Sequence, residues 1–336
     1  MRTLSLSILA FAALLAGCGD DNNNPPPADA APPTVDSPPA PVSIVATAQA
    51  TASLSTLVAA VQFASDDNDL VTLLASPGTL TVFAPSNVAF DALAVELTGQ
   101  ATAKGADLLT AANKPLLRDV LRYHVLTTKV EASAIPFGKP IATAQGGIFK
   151  IDTGAQPVIT DGRNRTAKIT TTNIEASNGV VHLIDRVLLP ADKNLVETAG
   201  AFAAAIPPQF GILVEAVVAA DLATTLSGPG PFTLFAPTDA AFGALLTELG
   251  LTKAKLLANK PLLTKVLTYH VLVGRVFKAD LPVGVPITTV ETEKFQIDAA
   301  LAITDARGRK SNITATDTLA KNGVIHVIDK VLLPAP

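Results

Sequence analysis

The chain has 336 residues, 49% hydrophobic and 16% charged, with a formal net charge of −4, one cysteine, two tyrosines and no tryptophan. A single cysteine excludes a disulfide within the chain. The weakly acidic total excludes the basic field on which nucleic-acid binding depends. At the amino terminus, Arg2 precedes an apolar run from Leu4 to Ala16, which is too short to span a bilayer and suits the apolar region of a secretory signal.

That run closes on Leu15-Ala16-Gly17-Cys18, a pattern similar to the lipobox at which a bacterial signal peptide is cleaved and the cysteine acylated. Residues 1–17 are therefore expected to be a lipoprotein signal, and Cys18 the lipid-attachment site that fastens the chain to a membrane. Residues 18–42 are rich in Pro, Ala and Asp, a composition that buries nothing and favours an extended spacer. At ~3.1 Å per residue such a spacer reaches ~70 Å. Gly19 follows the cysteine, where an inner-membrane retention signal would have Asp, so the expected location is the outer membrane or cell surface. Asp20, Asp21, Asp29 and Asp36 all lie in this tether, leaving the remainder close to neutral.

Beyond the tether three stretches occur twice, in the same order. FAPSNVAF at 83–90 returns as FAPTDAAF at 235–242, and NKPLLRDVLRYHVL at 113–126 as NKPLLTKVLTYHVL at 259–272. NGVVHLIDRVLLP at 178–190 returns as NGVIHVIDKVLLP at 322–334. A period of about 145 residues is that of a whole domain rather than of a solenoid unit. Two domains are expected, 43–191 and 192–336. In each, a β-prone segment (Thr81–Phe83, Thr233–Phe235) runs into Pro85 or Pro237, and Ser86 or Thr238 stands ready to cap a helix. Phe90, Leu93, Ala94 and Leu97 then recur at helical spacing, as do Phe242, Leu245, Leu246 and Leu249, and mark a core face. A second helix opens at Asn113 or Asn259 with proline in its first turn. Its apolar stripe is Leu116, Leu117, Val120, Leu121 and Val125, with His124 on the same face and Tyr123 about 100° round. The third stretch predicts a strand buried on both faces after an Asn-Gly turn.

Chemistry-bearing residues are few. All four histidines (His124, His182, His270, His326) and both tyrosines (Tyr123, Tyr269) belong to the repeated stretches. Two histidines per domain, without cysteine or a local carboxylate cluster, fall short of a metal site. No Gly-x-Ser-x-Gly elbow offers a nucleophile. No catalytic residue, cofactor or metal is therefore expected. The Tyr-His pairs read either as buried groups that satisfy each other and the backbone, or as a partly exposed recognition patch. Loops at 161–166 and 305–310 read as hairpin tips exposing Arg163, Arg165, Arg307 and Arg309, either as solvated turns or as contacts for anionic groups.

Taken together, these motifs resemble the fasciclin (FAS1) domain family over the whole chain outside the leader and tether. The resemblance implies an α+β fold: two tandem FAS1 domains, each a wedge-shaped β-sandwich of about seven strands with several packed helices. It also implies a secreted or membrane-anchored protein of adhesion or matrix binding, without a catalytic site. A Tyr-His motif implicated in adhesion by animal relatives matches Tyr123-His124 and Tyr269-His270, which become the candidate partner-binding residues. The Asp-Ile pair used by some animal domains falls on Asn173-Ile174 and Asp317-Thr318, and neither copy has it. The function expected is adhesion, or binding of a surface or matrix polysaccharide or protein. A structural or periplasmic scaffold and a glycan-active enzyme are the alternatives.

Overall fold

The structure, a computed structural model, describes residues 41–66, 69–205 and 209–336. The leader, Cys18 and all but the end of the tether lie outside them. The first copy opens with helices α1 (Ile44–Ala50), α2 (Ser55–Ala64) and α3 (Asp69–Ala75), followed by strand β1 (Leu80–Pro85). Helices α4 (Asn87–Thr98) and α5 (Lys114–Tyr123) follow, then β2 (Val125–Leu126), β3 (Pro140–Ala142), β4 (Ile148–Asp152), β5 (Val158–Thr160), β6 (Thr166–Ala176) and β7 (Gly179–Ile184). The second copy repeats the order with α6 (Leu195–Ala203), α7 (Gly211–Ala219), α8 (Ala223–Leu226), β8 (Phe232–Pro237) and α9 (Asp239–Leu249). It adds a short α10 (Lys253–Leu257) before α11 (Lys260–Tyr269), β9 (Val271–Val273), β10 (Pro286–Thr288), β11 (Lys294–Ile297), β12 (Ala302–Thr304), β13 (Lys310–Ala320) and β14 (Gly323–Ile328).

Each copy carries one seven-stranded sheet, in the orders β2-β1-β7-β6-β5-β4-β3 and β10-β11-β12-β13-β14-β8-β9. The central pair is parallel, with Leu80 opposite Gly179 and Phe232 opposite Gly323. Within the long β6 the ladder shifts between Ile169 and Thr171 and again between Thr171 and Ile174. Such bulges bend a strand, and here they let the two halves of the sheet face each other. Asn173 and Asp317 occupy the bulges at φ 57° and 60°, a region that Asn and Asp tolerate better than other side chains.

Two cores result. Helices pack on one face of β1 and β7 through Leu57, Ala60, Leu70, Phe90, Leu93 and Leu121, against Val82, Ala84 and Val181. Between the halves of the sheet lie Phe83, Tyr123, Phe149, Ile151, Ile159 and Ile184. Alternate residues of β1 enter the two cores, so the strand is buried along its whole length and has no polar alternation. Both copies are α+β domains of this design, in tandem.

Local signals act as read, with two exceptions. Ser86 and Thr238 accept from the N–H groups of Ala89 and Ala241 and so cap α4 and α9. Burial ceases a turn before these helices end, however, and Leu97 and Leu249 are 44% and 38% exposed rather than core. Val125 does not extend the stripe of α5: that helix ends at Tyr123, and Val125 pairs with Val82 as part of β2. At the Asn-Gly turn, Asn178 is buried; it accepts from Ile44 N–H and donates to the carbonyls of Leu74 and Ser76, tying α1 and α3 to the hairpin. Asn322 does the same for Leu195, Leu226 and Gly228. Glycine must follow, because a Cβ at 179 would stand 2.1 Å from Leu80 O and one at 323 would stand 2.3 Å from Phe232 O.

The two copies meet along a polar seam. Lys150 of β4 and Asp317 of β13 form an ion pair at 3.1 Å, with side chains only 11% and 3% exposed. Asn164 donates to Leu319 O and accepts from Leu319 N–H, and Lys139 faces Asp280 at 3.4 Å.

Candidate functional site

The Tyr-His pairs sit where α5 and α11 end, and all four rings are buried. His124 donates from Nδ1 to Val120 O (2.6 Å), closing its own helix, and accepts at Nε2 from Leu188 N–H (2.9 Å). His270 repeats both bonds with Val266 O and Leu332 N–H. Burial pushes both imidazoles down to about 4, so they are neutral near pH 7. Tyr123 donates to Ile148 O (2.5 Å). Tyr269 donates to Lys294 O (2.9 Å) and accepts from Ala306 N–H (2.9 Å). Burial raises both phenols, that of Tyr269 to about 12. Their rings meet Phe149 and Phe295 edge-on, with centroids 5.9 and 6.0 Å apart. A patch offering these rings directly to a partner is thus not present. The physical reason is that every polar atom of the pairs already bonds within its own domain, and what they position is the start of β4 or β11 and the segment after β7 or β14.

His182 and His326 take the opposite arrangement of bonds. Each accepts at Nδ1, from Asn173 or Asp317 N–H, and bonds through Nε2 to Val130 O or Val276 O at 2.9 Å. Burial lowers both pKa values. Asn173 and Asp317 use their side chains to accept from the N–H groups of Ala132 and Lys278.

The hairpin tips are likewise turned inward. Asp161 accepts from the N–H groups of Arg163, Arg165 and Leu189, and from the Arg165 guanidinium. Arg165 also reaches Glu96 and Val187 O. Asp305 and Arg309 repeat the arrangement with Leu333, Glu248 and Val331. Arg163 pairs with Asp192, and Arg307 donates to Pro334 O. A buried carboxylate needs a counter-charge; Arg165 and Arg309 supply it, which is why they are not free tips. The motifs therefore secure one another: His124 and Asp161 each grip one residue of the Leu188-Leu189 segment.

Three further features stand apart from these bonds. Lys114, Arg118 and Arg122 form a ridge along α5 that faces Asp66 and Asp69. Its fourfold spacing is visible in the sequence, and the second copy replaces the two arginines with Thr264 and Thr268. An apolar cavity of about 100 Å³ lies among α1, α2, α3 and β1, with Ile44, Ala48, Leu70, Val82 and His124 on its walls. Its counterpart in the second copy is about 10 Å³. A polar cavity of about 280 Å³ lies at the seam. Among the described residues no group of three or more His, Cys, Asp or Glu could hold a metal ion.

Comparison with known proteins agrees with this architecture. The family profile described as fasciclin domain matches residues 52–190 and 208–334. Transforming growth factor-beta-induced protein ig-h3 of Oryctolagus cuniculus is 31% identical over 259 residues, 77% of this chain and 35% of the relative. An uncharacterized protein of Synechocystis is 41% identical over 125 residues, 37% of this chain and 90% of that protein. A solved FAS1 domain pair from the insect cell adhesion molecule fasciclin I covers 84% of this chain and 97% of its own, at 19% identity and a TM-score of 0.41. The chain spans about a third of the length of the ig-h3 proteins and periostin that it matches. Two profile matches on two copies of one fold settle the classification: the chain belongs to the fasciclin domain family.

Proposed function

We propose that the protein is exported, anchored by a lipid on Cys18, and holds its two fasciclin domains away from the membrane to bind a surface or matrix polysaccharide or protein in adhesion. The observation that carries this reading is the inward use of the motifs. Their histidines, tyrosines and buried aspartates all bond within their own domains, which leaves a stable support and no assembled catalytic group among the described residues. The near-neutral surface of the copies suits a partner recognised by shape and local contacts rather than by a long-range field. Among the described residues no single helix is long and apolar enough to cross a membrane; the proposed attachment rests on the Leu15-Ala16-Gly17-Cys18 pattern.

Retention of the mature protein on cell-wall and exopolysaccharide preparations tests the binding role. Concentration-dependent, saturable retention is expected. No retention on any polymer, together with recovery of one protein by crosslinking in cells, would replace adhesion with the scaffold reading. For the anchor, a Cys18→Ser protein is expected to leave the membrane fraction, and unchanged fractionation would refute lipidation.

A further inference from the structure

One cation has kept its place in the duplication and lost its counter-charges. In the first copy Lys129, just after β2, is held by Glu131 at 2.9 Å and Glu175 at 3.0 Å. The equivalent position after β9 is Arg275, but Phe277 stands in place of Glu131 and Leu319 in place of Glu175. Among the described residues Arg275 has no carboxylate partner. Its guanidinium donates to Lys321 O at 3.2 Å, while its Nε is buried without an acceptor. Burial lowers its pKa, the mark of a cation held in poor solvation. A charge in that position is costly unless something of opposite sign meets it.

The seam cavity is what it meets. The first copy contributes the Gly146-Gly147 turn and Gly162, and the second contributes Arg275, Leu319 and Lys321. No Asp or Glu lines it. Gly146 lies at φ 95°, and a Cβ on Gly147 would stand 2.8 Å from Gln145 Oε1 and 3.1 Å from the Tyr123 ring. The turn's own N–H groups are already bonded, Gly146 to Thr143 O and Gly147 to Gln145 Oε1, so it lines the cavity without charge and leaves recognition to the cations. Two cations and no anion converge on a space of about 280 Å³.

We infer that the seam cavity is an oxyanion site, with Arg275 as its charged anchor and a carboxylate, sulfate or phosphate group as its ligand. The ligand supplies to Arg275 what Glu131 and Glu175 supply to Lys129, through charge-assisted hydrogen bonds of the kind guanidinium groups form with planar or tetrahedral oxyanions. Neither copy forms the site alone, so it is a product of the tandem.

The test titrates the full chain separately with glucuronate, inorganic sulfate and inorganic phosphate, with glucose and sodium chloride as controls. It follows the amide signals of Gly146, Gly147 and Gly162 together with thermal stability. At least one oxyanion is expected to shift these signals saturably and raise the melting temperature, and the tightest of the three identifies the ligand class. Arg275→Gln is expected to weaken that binding at least about tenfold. Leu319→Glu restores the carboxylate that the first copy has as Glu175, and is expected to abolish binding by filling the site from within. It also carries the comparison should Arg275→Gln not fold. Failure of all three anions to saturate, or equal binding by both variants and the parent, would overturn the assignment. The site stands apart from the adhesion reading, since polymer retention can fail with the oxyanion site intact and the reverse.

Discussion

Each buried histidine uses one ring nitrogen as a donor and the other as an acceptor, so a second proton breaks a bond that the fold relies on. For His124 the acceptor is Nε2, which holds Leu188 N–H. Folding lowers its pKa and that of His270 from 6.5 to about 4. The unfolded chain therefore binds more protons than the folded one between these values, and stability is complete above pH 6.5 and declines as pH falls toward 4. The shift corresponds to about 3 kcal/mol for each of the two. Urea midpoints should be flat above pH 7 and fall steeply from pH 6 to pH 4.5. Replacing both residues with Asn should lower the midpoint at pH 7 and flatten the acid slope. Asn178 makes a comparable case without charge. Asn178→Ala strands Ile44 N–H and two carbonyls in a buried corner, and should cost about 3 kcal/mol, read as a lowered melting temperature with an unchanged far-ultraviolet spectrum at 20–25 °C.

At the scale of elements, the helix layers of the two copies are packed differently. Phe202, at the end of α6, stacks edge-on against Phe210 at 5.7 Å, where the first copy has Thr51 and Leu54. The first copy retains the cavity of about 100 Å³, which at about 24 cal/mol per Å³ costs roughly 2 kcal/mol. Ala48→Leu, directed into this space from α1, should raise the melting temperature by several degrees; a fall would mean that the cavity walls do not yield. The repeats, the strand-Pro-cap-helix boundary and the buried final strand were legible because each is set by residues adjacent in sequence. The end of α5 was not, since neither glycine nor proline marks it and a histidine ring performs the closure through Val120 O. Leu97 fits the helical period yet is 44% exposed, because period reports a face and not the length over which that face is covered. The state of the Tyr-His pairs was left open by sequence, since the carbonyls that Tyr123 and Tyr269 reach are 25 residues away. The vacancy around Arg275 emerges only by comparing it with Lys129 and then seeing what lies opposite.

For the whole molecule, the Lys150–Asp317 pair is the most buried link between the two domains. It joins residues 167 positions apart, and no local pattern announces it. Lys150→Met alone leaves Asp317 buried and unpaired and should destabilise by about 3 kcal/mol. Asp317→Asn alone leaves Lys150 its second partner, Asp152 at 3.1 Å, and should cost less. The double variant should recover much of the loss, because breaking such a pair costs more than replacing it. Thermal melts of the four proteins measure the coupling, and strict additivity would mean that the pair is not formed in solution. The parallel pairing at the centre of each sheet has a different consequence. β1 has no partner on one side until β7 is made, and β7 comes from the stretch that recurs, with three conservative changes, at the carboxy end. During folding, β14 is a nearly perfect substitute: it has the same length, the same leading glycine and a histidine at the same register. A newly made chain thus carries a decoy for its own closing strand, and strand exchange between the copies, or between neighbouring chains, is the error to which this duplication exposes it.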